Sequence, residues 1–378
     1  MKRNTHHRHS PFASTVLVVN PSRYPRYVKI LRRIVKDYPF AEVIESRDRE
    51  HFQQSVREFY ASDCTHLLVW GGDGTAHAAI NAIMQSEHRL GSEYRKAVGF
   101  LRGGTGNGIQ DSYDVPFSIR AQLSTYAESL HRDFEIDVDL LELENGGHRL
   151  YGQLVGFGFD VDVLRRREKR RREGRGQRAV TRVLDYAAAA GQVYLGKGFR
   201  LEHPFHVSLR DGKYAFRGTR VNAEFAFHQV DRDIAPTMIE AGTRPYYGNM
   251  FKVCPDVVCN DGNMDVYMFN FRTKSAVLTN MSDLWRGNHE HINRRLTRRD
   301  SGVIERYELH ELSVSAAEPF PFHIDGELME AAADGEGRYR VTLRVLPRRL
   351  RFIVPGRFYR LFHPFEEQAE APRNVVSE

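Results

Sequence analysis

Through the first third of the chain, short apolar runs are separated by stretches with a helical period. TVLVVNP, at 15–21, reads as a buried strand closed by a turn. Val28, Leu31, Ile34 and Val35 then recur at helical spacing, and AEVIES forms a second short strand. Phe52, Val56, Phe59 and Tyr60 fall at i, i+4, i+7 and i+8 and so share one helix face. HLLVW is a third strand, and Ile80, Ile83 and Met84 mark the helix after it. AVGFL is a fourth, followed by the helical SIRAQLSTYAESL. Strands alternating with amphipathic helices predict a doubly wound, largely parallel α/β domain over 14–133.

From Phe134 the period shortens to two. FEIDVDLLELE, RLYGQLVGFGF, FHVSLR, YAFRGTRVNAEFAF, MDVYMFNF, ELHELSVSA and RVTLRVLP are β-rich runs punctuated by Gly, Asn, Asp and Pro. They predict an antiparallel sandwich or barrel over 134–346, with helical insertions at 162–195 and 274–299. Segment 347–365 is expected to return to the first domain, and 1–13 and 366–378 to be flexible tails. No internal repeat is present.

Composition adds limits. With 378 residues, 41% of them hydrophobic, the chain can bury two cores. YAAAAGQVYLG is well short of the about 20 apolar residues of a membrane span. No signal-peptide run opens the chain, and the histidines of MKRNTHHRHS read as a solvated tail. Cys64, Cys254 and Cys259 form no even framework and match no zinc spacing, so a reduced, cytoplasmic protein is expected. The formal charge of +6 has one source. RRREKRRREGRGQRAVTR, at 165–182, carries ten Arg or Lys against two Glu, and removing that +8 leaves −2 for the remainder.

The candidate chemistry begins at Gly71-Gly72-Asp73-Gly74-Thr75, between the third strand and its helix. Such a turn lets backbone approach an anion while free N–H groups and the helix dipole face it. Asp73 would repel a phosphate unless Mg2+ stood between them. A tight structural turn needing glycine conformations explains the same residues. Gly103-Gly104-Thr105-Gly106-Asn107 follows the fourth strand in the same way, and Asn20-Pro21-Ser22-Arg23-Tyr24 follows the first. All three turns lie at the carboxyl edge of a parallel sheet, where ligands bind.

GGDGT followed about 30 residues later by GTGN resembles the catalytic domain of the diacylglycerol and sphingosine lipid kinases. LVGFGFDVDVL, MFKVCPDVVCNDGNMDV and FHIDGELM are similar to later family elements in the same order, so the resemblance covers nearly the whole chain. NAD kinases and phosphofructokinases have similar glycine–Asp turns without this later series. The resemblance implies an α/β nucleotide-binding domain of the NAD kinase and diacylglycerol kinase type, then an all-β sandwich, with catalysis in the cleft between. It implies ATP and Mg2+ as cofactors and a lipid alcohol, diacylglycerol or a sphingoid or ceramide-type lipid, as acceptor.

Glu327 would be the general base, accepting the proton of the lipid hydroxyl as that oxygen attacks the γ-phosphate. Asp73 would serve the catalytic Mg2+, and Asp325 would stabilise the turn or join that network. Asn20, Pro21, Ser22, Arg23, Tyr24, Ser46, Gly71, Gly72, Asp73, Gly74, Thr75, Gly104, Thr105 and Asn107 would hold the nucleotide, with Thr75 opening the helix. Val258, Asp261 and Asn263 would hold a structural Mg2+ in the Asn-Asp-Gly loop; a plain turn there, and a plain hairpin at Asp325-Gly326, are the alternatives.

Arg165, Arg166, Arg167, Lys169, Arg170, Arg171, Arg172, Arg175 and Arg178 would dock the enzyme peripherally on an anionic membrane, in preference to nucleic acid. A solvated helix is the alternative reading. NRRLTRR, at 293–299, is a lesser patch of the same kind, and a homodimer is left open. Three departures from the family pattern stand out. Arg23 and Tyr24 replace small residues, Ala78 stands where a Glu is common, and Gly108 stands where an Asp is common. They keep open a nucleotide- or lipid-binding relative without turnover.

Overall fold

Four parallel strands begin the architecture, in the order Glu42–Glu45, Thr15–Val19, His66–Gly71 and Ala97–Arg102. The computed structural model describes residues 10–22, 25–90, 96–104, 106–172, 182–196, 200–217, 222–248 and 250–365. The intervening helices are those the apolar spacing predicts. In Arg49–Ala61, Phe52, Val56, Phe59 and Tyr60 are all buried, and Asp48 caps the helix by accepting from His51 N at 2.8 Å. Helix Asp73–Leu90 starts two residues earlier than Thr75, so the glycine turn is itself the first helical turn. Phe12 is fully buried and stacks on Phe40 with centroids 4.3 Å apart. The tail drawn at 1–13 therefore reaches too far: Phe12 belongs to the first core, while 1–9 and 366–378 lie outside the described residues.

The same sheet continues into the second half. Tyr339–Ile353 runs beside Ala97–Arg102 in parallel, with Phe352 opposite Val98, and pairs antiparallel with Glu135–Asn145 and Gly302–Ala316. An irregularity between Leu346 and Leu350, with Arg348 at φ +47, lets this one strand serve both halves. Beyond it the order is Gly302–Ala316, Met264–Phe271, Met238–Gly242, Leu154–Gly158, Pro321–Ile324 and Glu327–Glu330. Leu141, Phe157, Leu312 and Phe322 fill the sandwich interior. Helices Arg182–Leu195, Lys274–Trp285 and His289–Arg298 cover an outer face through Ala189, Leu284 and Ile292. Met238–Gly242 is a strand the sequence pattern does not reveal, because its central residue is Glu240 although all five positions are buried.

An α/β domain followed by a β-sandwich with helical insertions is thus the observed architecture. Among the described residues, no helix is long and apolar enough to cross a membrane. The far edge of the sheet returns to the first domain, so that hairpin Pro321–Glu330 stands over the glycine turn of helix Asp73–Leu90.

Candidate active site

The two glycine turns touch each other through backbone. Gly103 N donates to Gly71 O at 2.8 Å, and Asp73 N donates to Gly106 O at 3.1 Å. A Cβ on Gly104 would stand 2.1 Å from Gly72 Cα, and one on Gly72 would stand 2.7 Å from Gly104 Cα. Glycine is required at both positions because two main chains meet there, whether or not an anion is near. Asn107 locks the second turn, its Oδ1 accepting from Gly104 N at 3.2 Å while Nδ2 donates to Gly104 O at 3.1 Å. In the first loop, Asn20 Nδ2 donates to Thr75 Oγ1 at 2.9 Å and Oδ1 accepts from Ser22 N at 3.1 Å. Ser46 Oγ donates to Val19 O at 3.2 Å.

The Asp-Gly pair joins Pro321–Ile324 to Glu327–Glu330 in a two-residue turn, with φ +48 at Asp325 and +86 at Gly326. Both angles are positive, which suits the twist of a tight hairpin. Asp325 is buried beneath this turn. Its Oδ1 accepts from Leu154 N at 3.1 Å, Gln153 N at 3.2 Å and Arg244 Nη2 at 3.1 Å, and Oδ2 lies 3.3 Å from His77 Nδ1. Burial pushes this acid upward, but the His77 hydrogen bond, the Arg244 charge and the Gln153 amide outweigh it and hold the pKa at about 2. Arg244 is fully buried. Although desolvation favours its neutral form, the charges of Asp325 and Asp73 raise its pKa.

With Asp325 held below, Glu327 emerges exposed on the other side of the turn. A Cβ on Gly74 would lie only 2.5 Å from Glu327 Oε1, so this carboxylate stands directly over the first turn of helix Asp73–Leu90. Asp73 is the second acid at the same place. Its Oδ1 accepts from Ile109 N at 3.2 Å, and crowding by protein pushes its pKa up to about 6 against the opposing charge of Arg244.

These groups line one cleft of about 410 Å³. Of the predicted nucleotide residues, Asn20, Ser22, Ser46, Gly71, Gly72, Asp73, Gly74, Thr75 and Gly104 line it, together with Asp325 and Glu327. Pro21 and Asn107 do not. Asn107 instead shapes the turn, because its carboxamide is spent on Gly104. Arg23, Tyr24 and Thr105 lie outside the described residues. The walls add Arg47, Asp48, Arg49 and Phe52 on one side and Leu164, Tyr247, Phe251 and Trp285 on the other.

Two family models match the chain. Residues 15–141 match the family described as "Diacylglycerol kinase catalytic domain", and residues 213–354 match "YegS C-terminal NAD kinase beta sandwich-like domain". The chain belongs to the diacylglycerol kinase-like lipid kinase family. A protein of Shewanella frigidimarina (strain NCIMB 400) named "Probable lipid kinase YegS-like" is 20% identical over 315 residues, covering 82% of each chain. Among solved structures, one titled "Crystal structure of a putative diacylglycerol kinase from Bacillus anthracis str. Sterne" superposes with a TM-score of 0.61 at 15% identity. It covers 95% of this chain and 100% of that one. A second structure from the same organism, titled "A putative diacylglycerol kinase", gives a TM-score of 0.60 at 14% identity, with 90% and 96% covered.

In this lipid kinase relative, the described residues of the basic run are divided between two places. Arg167, half-buried, lines the cleft together with Leu164. Arg165, Lys169 and Arg172 are exposed on another face, flanking Leu328 and Met329 of the hairpin, with Arg165 lying 3.8 Å from Glu330. Arg166 Nε donates to Gln192 Oε1 at 2.9 Å, and Arg170 is half-buried. The side chain of Arg171 and all of Arg175 and Arg178 lie outside the described residues. The loop with Val258, Asp261 and Asn263 stands away from the cleft lining; Asp261 Oδ1 accepts from Asn263 N at 3.0 Å, closing its own turn. Asp139 anchors that loop, accepting from Gly262 N at 2.7 Å and Arg348 N at 2.6 Å.

Sequence reasoning missed Arg244 and His77, which set the charge state of Asp325. The departure at Gly108 has a steric counterpart here: a Cβ there would stand 2.5 Å from the main-chain oxygen of Tyr247 and 2.5 Å from Arg244 Nη1. Ala78, buried, lines the cleft beside His77. The only local signal for Arg244 is a charge directly after an apolar run, in MIEAGTRP.

Proposed function

We propose that this protein is an ATP- and Mg2+-dependent kinase that transfers the γ-phosphate to a lipid hydroxyl, with diacylglycerol or a sphingoid or ceramide-type lipid as acceptor. The observation that carries this reading is the placement of Glu327. An exposed carboxylate faces a helix N-terminus at the meeting of two glycine turns, inside a cleft between an α/β domain and a sandwich. Backbone at a helix N-terminus favours phosphate, and the hydroxyl acceptor must then lie beside Glu327. Glu327 accepts the hydroxyl proton as the alcohol oxygen bonds to phosphorus, and the nucleoside diphosphate leaves with the electron pair of the broken bond. Asp325, Arg244 and His77 hold the hairpin that aims it.

Asp73 fits a hard divalent cation. It is an acid whose charge burial disfavours, with Oδ2 turned between Gly106 and Gly248, so a cation would stabilise its ionised form. When bound, Mg2+ would neutralise phosphate charge developing in transfer. Asp261, with the carbonyls of Val258 and Asn263, would hold a second, structural Mg2+.

Leu164, Phe251 and Trp285 give the cleft an apolar wall, with Phe251 and Trp285 stacked at 5.1 Å, which suits an alcohol on an apolar body. Arg165, Lys169 and Arg172 would face an anionic lipid surface. The test is transfer of labelled γ-phosphate from ATP to a lipid panel in anionic mixed micelles with Mg2+. Wild type should yield one labelled lipid class, and Glu327→Gln should lower the rate by about 10²-fold or more. ATP binding without a labelled lipid would instead mark a binding protein of the same family.

A further inference from the structure

We propose that Asp160, Glu240 and His323 form a buried site for one divalent first-row transition-metal ion, with Zn2+ the best match. The site is separate from the cleft and does not depend on the kinase reading. It is built by strand register. His323 lies opposite Gly156 on one neighbouring strand, and Glu240 lies opposite the same Gly156 on the other. Three strands thus place an imidazole and a carboxylate on either side of a residue with no side chain. Asp160, second residue of helix Phe159–Arg172, closes the row from above.

The three side chains converge on the space Gly156 leaves. A Cβ at that position would stand 2.3 Å from His323 Nε2, 2.6 Å from Asp160 Oδ2 and 2.9 Å from Glu240 Oε1. One ligand atom from each residue falls within 4.8 Å of the other two. Ligand atoms around a tetrahedral Zn2+ are about 3.3 Å apart, and here His323 Nε2 is 2.6 Å from Asp160 Oδ2 and 3.9 Å from Glu240 Oε2.

A second observation points to a ligand. All three residues are at most 2% exposed. Even so, both oxygens of Asp160, both oxygens of Glu240 and both nitrogens of His323 have no hydrogen-bond partner outside the trio among the described residues. Within it, burial raises the pKa of Glu240, and the Asp160 carboxyl pressed against it raises it further. The short Nε2–Oδ2 approach lacks the direction of a hydrogen bond. Two carboxyl groups and an imidazole buried with only one another for partners are costly. A divalent cation satisfies them together, and one nitrogen with two oxygens suits Zn2+, Mn2+ or Fe2+ better than Mg2+. The ring of Tyr247, edge-on to His323 at 4.8 Å, holds the imidazole plane.

Such an ion would fasten the strand carrying His323 to its neighbours four residues before Glu327, making these three residues positioning residues for the hairpin. Because the site is sealed, the chain would fold around the ion.

The experiment measures transition metal by elemental analysis in the full-length protein, purified without metal-affinity chromatography and dialysed against excess Mg2+. His323→Gln, Glu240→Gln and Gly156→Ala are measured beside wild type. Each protein is also unfolded with chelator and refolded with Zn2+, Mn2+ or Co2+ alone. Wild type should retain close to one ion per chain, regain it on refolding and show the visible absorption of low-symmetry Co2+. Each folded variant should lose at least tenfold in affinity, Gly156→Ala because its methyl fills the ion's place. Glu240→Gln keeps the shape, so a variant that misfolds at His323 does not stop the comparison. A wild type that neither carries nor takes up any of the three ions would overturn the proposal, leaving the trio as groups that share protons. Equal metal in wild type and variants would overturn it too, placing the ion elsewhere, as on the histidines near the N-terminus.

Discussion

Gly74→Ala separates the chemical from the structural use of the glycine turn. The added methyl would meet Glu327 Oε1 at 2.5 Å and Glu327 Cδ at 3.7 Å, and, outside its own helix, nothing else within 4 Å among the described residues. Gly74 lies in the first turn of helix Asp73–Leu90, without the positive φ that excludes alanine. Alanine is favoured over glycine in a helix by up to about 1 kcal/mol, so the thermal midpoint should stay level or rise. The methyl is relieved by moving one flexible carboxylate by about 1 Å to ordinary contact distance. A general base works only within hydrogen-bond reach of its proton, and a misplacement of about 1 Å can cost roughly 10²-fold in rate. The expected loss in kcat is therefore about 100-fold, near 2.7 kcal/mol of barrier, read by γ-phosphate transfer beside a melting curve. Combined with Glu327→Gln, the alanine should add little, since both changes remove the same function. Full activity in Gly74→Ala would refute the placement of the base, and a fall in melting temperature would mean that position 74 is needed by the fold.

Two further outcomes follow from neighbouring contacts. Gly104→Ala forces its methyl to 2.1 Å from Gly72 Cα, which is main chain and cannot swing aside. It should lose about 1–3 kcal/mol in chemical unfolding and weaken ATP binding as the two turns separate; unchanged stability would contradict the contact. Asp325→Asn should be destabilised by about 3 kcal/mol at pH 7, because Arg244 stays buried and charged without its partner. The folded pKa of Asp325, about 2, lies below its ordinary 3.8, so its stabilisation of about 2 kcal/mol is complete above pH 5 and fades as pH falls toward 2. The gap between wild type and variant in urea unfolding should narrow over that window, and a gap independent of pH would count against the assignment.

What could be read in advance was local. The buried face of Arg49–Ala61 follows from spacing within thirteen residues, and the Asp-Gly hairpin from two adjacent residues. The glycine turns were legible as turns, but their reason was only half visible. Gly72 and Gly104 are glycines because they meet each other, and Gly74 because Glu327 arrives from the far edge of the sheet. Arg244 and His77 escaped for the same cause. Their partner Asp325 is 81 and 248 residues away in sequence, and no period or motif carries such a contact.

Glu240 shows where this limit falls. Within MIEAG it looks like a blemish in an apolar run, and the strand was not recognised because of it. Local rules treat a buried acid as a cost, whereas register turns it into one side of a row whose centre is Gly156 and whose other side is His323. Gly156 carries no less information than the charged pair, since any side chain there would close the space they share. The same pattern recurs at the cleft, where Gly74 leaves room for Glu327 and Gly106 for Asp73. In this fold the charged groups that matter are each matched by a glycine on a different element. A charged residue in an apolar strand is therefore best searched for a distant glycine facing it, before it is set aside as an error of pattern.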